Sequence, residues 1–135
     1  MLIAAAVCPC PPLLVPEVAA GAAPELDGLR AECSEAIRAL AAARPQRLIV
    51  VGPADRAGRG PHAQGAAGSF RGFGVAVDVR LAAPPSRGGV SGGGDIAGGG
   101  SSRSLPPSLA VAAWLLEHAG WDPAVPVEGL GVGEP

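Results

Sequence analysis

Lysine is missing from the chain: all ten basic side chains are arginine. Alanine, glycine and proline are abundant beside them, a pattern that reflects GC-rich codon usage and carries no functional meaning. The formal net charge is −2 and no arginine cluster forms, which argues against a nucleic-acid-binding surface. Aromatic residues make up only 3%, so any core must be built from alanine, valine, leucine and isoleucine. Three cysteines are an odd number and suggest no disulfide framework. No uninterrupted apolar run approaches the ~20 residues of a membrane-spanning helix. The first basic residue is Arg30, so the apolar N-terminus lacks the charged leader of a signal peptide. These absences predict a soluble protein in a reducing, cytoplasmic setting.

What is present is enough for one modest core. The 135 residues are 48% hydrophobic, which excludes wholesale disorder and fits a single domain, residues 1–135. Leu2 to Val7 is short and apolar and stops at Cys8-Pro9, the pattern of a buried strand. Pro24 opens a helix expected to run to about Ala43. Its apolar stripe is Leu26, Leu29, Cys33, Ile37 and Leu40, with Arg30, Glu32, Glu35 and Arg38 off that stripe. Arg47 to Gly52 is the clearest strand, ended by Gly52-Pro53. Strand, helix and strand in this order predict a βαβ unit with parallel strands. Its functional loops would lie beyond the carboxyl ends of the strands, with Cys8-Pro9-Cys10 and Pro53-Ala54-Asp55 at one edge.

Further on, a loop rich in glycine, arginine and alanine holds His62, and Val75 to Leu81 alternates as a half-exposed strand. Residues 86–104 are low in complexity and nearly free of apolar side chains, which predicts a flexible Gly/Ser-rich insertion loop. Ser108 to Ala119 reads as a helix stopped by Gly120, and Val125 to Val132 as a last strand. The fold class expected is α/β with a largely parallel central sheet flanked by helices. An end so close to a last strand suggests a chain truncated at the C-terminus.

Val7 to Glu17 holds two of the three cysteines in a proline-rich setting. A single Cys-x-Cys without a second pair is a weak zinc signal, and Cys8 reads as a small buried hydrophobe. Cys33, on the helix stripe, reads as core. The run Cys10-Pro11-Pro12-Leu13-Leu14-Val15-Pro16-Glu17 resembles the His-Pro-Pro-(apolar)-(apolar)-x-Pro-Glu motif of the class III extradiol ring-cleavage dioxygenases, the LigB-like and Memo-like superfamily. There the leading histidine is a metal ligand, and Cys10 stands in its place. Strand Leu48 to Val51 followed by Gly52-Pro53-Ala54 resembles the family strand that runs into Ser-Pro-His, with Ala54 where the second ligand would be. Gly65 to Gly74 resembles the family's Gly- and Phe-containing segment before the next strand.

The resemblance covers residues 2–81 and implies the N-terminal portion of a LigB-like domain. Active relatives hold Fe(II) with two histidines and a carboxylate. Here both N-terminal ligand places are altered, and the family's carboxylate would lie beyond Pro135. The expectation is therefore a dioxygenase-like oxidoreductase scaffold without ring cleavage, which binds a small molecule or a partner and carries no resident cofactor. Its pocket would be lined by Pro11, Pro12, Glu17, Pro53, Ala54 and Asp55. One alternative keeps the metal, Fe(II) or Zn by resemblance, on Cys10 and His62 in a rearranged enzyme site. Another is a structural or interaction module, a homo-oligomer joined through an open sheet edge. His118, near a helix end, reads as structural. No phosphate-binding loop and no Gly-x-Ser-x-Gly nucleophile elbow is present.

Overall fold

The computed structural model describes residues 1–84 and 103–133. Its order begins with an irregular stretch and a 3₁₀ turn at Pro12–Leu14, then a short helix α1 (Pro16–Ala19) and a 3₁₀ stretch Ala20–Leu26. Helix α2 (Asp27–Ala42) leads to strand β1 (Leu48–Pro53). Two short strands follow, β2 (Gly60–His62) and β3 (Ala67–Ser69), then β4 (Asp78–Arg80), helix α3 (Pro107–Ala119) and β5 (Val127–Val132). Most of the expected insertion loop, residues 86–104, lies outside the described residues.

Helix α3 is the centre of the molecule. Leu109, Ala110, Val111, Ala113, Leu115 and Leu116 are all buried, as expected of a helix that is apolar nearly all round. It packs against α2 and against strands β1, β3, β4 and β5. Gly120, at φ 82°, closes it in the left-handed region, with the Trp121 amide returning to the Leu116 carbonyl at 3.0 Å. The approach to the sheet is set by glycine: a Cβ on Gly52 would lie 2.6 Å from Ser108 Oγ, and one on Gly129 would lie 3.0 Å from a Leu109 methyl. The Ser108 hydroxyl donates to the Pro53 carbonyl at 2.6 Å, which pins the start of α3 to the end of β1.

The sheet is mixed. Its order is β1-β5-β2, with β5 parallel to β1 and antiparallel to β2, and β3 and β4 form a separate antiparallel pair. The α/β class holds. The largely parallel sheet gives way to a mixed one, because β2 leaves β1 through a short turn and can pair with β5 only by running back.

Leu2 to Val7 is not a strand. Among the described residues none before Pro11 enters a backbone hydrogen bond, and Leu2, Ile3 and Val7 are exposed. The run does not take the place beside β1 that a βαβ unit would give it, and among the described residues β1 pairs only with β5. Alanines at 4, 5 and 6 offer little area to bury, so the hydrophobic gain that would hold this run as a strand is small.

Helix α2 keeps most of its expected face: Cys33 and Ile37 are buried and Leu40 packs against the core. Arg30 and Ser34 are buried beside them and Leu29 is exposed, because Arg30 turns inward to bind backbone carbonyls. Cys33 is core, as its position on the helix predicts. Among the described residues no helix is long and apolar enough to cross a membrane.

Candidate functional site

The proline-rich run is folded from within. Pro11, at φ −74° and ψ 141°, is an extended cap for the 3₁₀ turn Pro12–Leu14, and the next turn starts at Pro16. Prolines at the first helical positions cost no hydrogen bond, because those amides have no partner in any helix. The turn drives Leu14 and Val15 into full burial and leaves Pro11 and Glu17 exposed, with Pro12 half-buried. Arg30 reaches across from α2 and donates through Nη1 to the Leu14 carbonyl at 2.9 Å. Its Nη2 donates to the Ala23 carbonyl and to Asp27 Oδ1, the latter at 2.6 Å. Cys8 and Cys10 are half-buried against the core, with Cys8 beside Cys33. Burial, then the neighbouring Cys8 thiol, then Glu32 push the Cys33 thiol from 9.0 up to about 11. Cys33 is therefore a protonated, unreactive core thiol at neutral pH.

The loop after β1 closes on itself. The Ala54 amide donates to the Val132 carbonyl at 2.7 Å, which carries the chain past the end of β5. Asp55 Oδ1 accepts the Gly58 amide at 3.2 Å and caps a 3₁₀ turn over Arg56–Gly58. Ala54 is held between glycines. Its methyl lies 2.9 Å from the point a Cβ on Gly131 would occupy and 3.3 Å from the same point on Gly58. Pro53 and Asp55 are exposed. Because β1 pairs with β5, this loop is neighbour to Val132 and Gly133, and the expected pairing of strand ends with Cys8-Pro9-Cys10 does not form.

His62 ends β2, is buried, and its Nε2 donates to the Gly58 carbonyl at 2.8 Å. A carbonyl can only accept, so Nε2 carries a proton, and in the neutral form of the ring the lone pair is on Nδ1. His62 lines a cleft of about 410 Å³ together with Pro61, Ala63, Arg103, Glu128 and Gly129. Arg103 spans the mouth by donating to the carbonyls of Ala57, Arg59 and Pro61, which fixes the loop that supports His62. Three of its five N–H groups are used there, and the guanidinium stays exposed. Glu128 borders the cleft from β5, with its carboxylate 4.0 Å from Arg47 on the sheet face away from α3. The cleft thus sets the His62 ring and the Arg103 cation on a partly apolar wall, with Glu128 at its border.

Cys10 does not line this cleft, and neither do Pro11, Pro12, Glu17, Pro53, Ala54 or Asp55. The predicted site residues therefore fall into two places, the proline-rich run packed near α2 and the loop after β1, and His62 is tied to the second through the Gly58 carbonyl. Among the described residues no three His, Cys, Asp or Glu side chains come close enough to share a metal ion. Sequence reasoning missed Arg103 and Glu128. Arg103 sits at the edge of a low-complexity run with no local signal, and Glu128 becomes a cleft residue only through the pairing of β5 with β2. His118 is exposed and stacks on Trp114, with ring centroids 4.6 Å apart, in keeping with a structural role at the end of α3. Searches against family models, curated proteins and solved structures find no match to this chain.

Proposed function

We propose that the chain is a class III extradiol dioxygenase-like scaffold that has lost ring cleavage and retains small-molecule binding, in the cleft of His62, Arg103 and Glu128, within the cytoplasm. The observation that carries the reading is Ala54. At the place of the second histidine ligand stands a methyl group, set between Gly58 and Gly131, with no donor atom to offer. A thiol replaces the first ligand at Cys10, away from the cleft that His62 lines. The residues present do not fit a centre of two histidines and one carboxylate.

What remains suited to binding is His62 Nδ1 as an acceptor and the Arg103 guanidinium at the mouth. A phenol could donate to the first while its ring lies on Ala66 and Pro61. The test is titration of the protein with catechol, with and without Fe(II) under anaerobic conditions, followed by admission of O₂. The expected result is a shift of the His62 ring signals in NMR with no ring-opened product. Fe(II)-dependent ring opening would overturn the reading, and so would the absence of any shift at His62.

A further inference from the structure

We infer that β1 is a dimerisation edge, pairing antiparallel with β1 of a second copy across a two-fold axis. The strand lies at the end of the sheet order β1-β5-β2, with one neighbour among the described residues. The amides of Leu48 and Ala54 point to β5, donating to the carbonyls of Pro126 and Val132. Alternation along the strand turns the amides and carbonyls of Ile49 and Val51 to the open edge. Strand edges that must stay single carry charge, proline or a bulge; Leu48-Ile49-Val50-Val51 carries none of these, and Pro53 comes only at the end.

The occupant follows from symmetry and charge. With the two-fold axis at Val50, Ile49 of each copy faces Val51 of the other, a hydrogen-bonded pair that satisfies both outward residues twice over. Ile49 and Val51 are 49% and 59% exposed and stand on the sheet face away from α3, next to Leu130 and Val132 of β5. Pairing joins the two apolar faces into one. Arg47 precedes the strand and Asp55 follows it, both exposed. An antiparallel second copy brings each Arg47, which lies 4.0 Å from Glu128 in its own chain, to the end that carries the partner's Asp55, on the same face of the sheet and within the reach of an arginine. A parallel copy would set like charges side by side. The product is a continuous six-stranded sheet with β2 at its outer edges.

Sedimentation velocity over a wide concentration range tests this, with hydrogen exchange of the Ile49 and Val51 amides read alongside. A reversible dimer is expected, in which those two amides are protected at high concentration and exchange freely on dilution. Val51→Pro removes one outward amide, a change that an edge strand tolerates, and should give a folded monomer. Ile49→Lys places a charge on the same edge and should do likewise without touching the backbone. Arg47→Glu should weaken association by about tenfold at low salt, and added salt should shrink that difference. A wild-type monomer at all concentrations would overturn the inference. So would a dimer that survives both Val51→Pro and Ile49→Lys, or protection of the two amides in the dilute monomer.

Discussion

Arg30 Nη1 donates to the carbonyl of Leu14 at 2.9 Å, and this one bond ties the proline-rich run to the first long helix. Leu14 and Val15 are fully buried, yet the prolines around them leave few amides to build regular structure. The guanidinium supplies the missing donors. It does so from a buried position, with Asp27 as its charge partner at 2.6 Å.

Replacing Arg30 by Met should therefore keep most of the packed stem and remove the donors. The Leu14 carbonyl would be left buried without a partner, which costs about 1–3 kcal/mol. Denaturant unfolding should show that loss. Hydrogen exchange should place the first local opening in residues 11–26, ahead of α3. A variant as stable as the parent would mean that water satisfies the carbonyl and that Arg30 does not organise this run.

Gly131 lies under the loop after β1, and a Cβ there would overlap the backbone carbonyl of Gly58. Backbone cannot swing aside as a flexible side chain does. Gly131→Ala should cost about 2–3 kcal/mol, in the range of overpacking, and displace the Gly58 carbonyl that fixes the His62 tautomer. The His62 ring signals in nitrogen NMR should change in this variant. Unchanged signals together with a stable fold would show that the loop yields without disturbing His62.

The Cys33 thiol predicts a dependence on alkaline pH. Burial raises it from 9.0 to about 11 in the folded chain, so between these values the unfolded chain has given up a proton that the folded chain keeps. Stability should be insensitive to this group below pH 9 and fall as pH rises from 9 towards 11. Urea midpoints measured across that range should decline less steeply in Cys33→Ala than in the parent. Equal slopes would mean that the thiol ionises as freely in the fold as outside it.

The sequence was legible where a single force decides the outcome. Continuous apolar residues at Leu48 to Val51 and the glycine stop at Gly120 predict β1 and the end of α3 to within a residue or so. Cys33 was placed in the core by helical spacing alone. Where two forces compete, the pattern misleads. Arg30 reads as a solvent-facing charge, but its hydrogen bonds to two carbonyls outweigh that preference and bring it inside while Leu29 stays exposed. Leu2 to Val7 has the length and hydropathy of a strand, yet its alanines offer little area to bury, and it does not fill the edge of β1 opposite β5. The cleft was the least legible part. His62 was flagged, but Arg103 and Glu128 join it only through the antiparallel return of β2 on β5.

Ala54→His puts the absent ligand type back at its proposed place and asks whether one side chain is all that a metal site lacks. The surroundings argue otherwise. The Ala54 methyl already lies at van der Waals range or closer to the positions above Gly58 and Gly131, so an imidazole must displace the loop or swing to solvent. Overpacking of this kind costs about 1–3 kcal/mol. Cys10 lies away from this loop and His62 Nε2 is taken by the Gly58 carbonyl, so a histidine here meets at most the one remaining nitrogen of His62, and so few ligands hold a divalent ion too weakly to retain it through purification. The variant should be less stable than the parent and should carry iron and zinc at background levels by elemental analysis. Stoichiometric metal in Ala54→His, lost again in Ala54→His with Cys10→Ala, would show that the proline-rich run and the loop after β1 meet in solution. The proposed loss of ring cleavage would then be a matter of one residue instead of the whole loop.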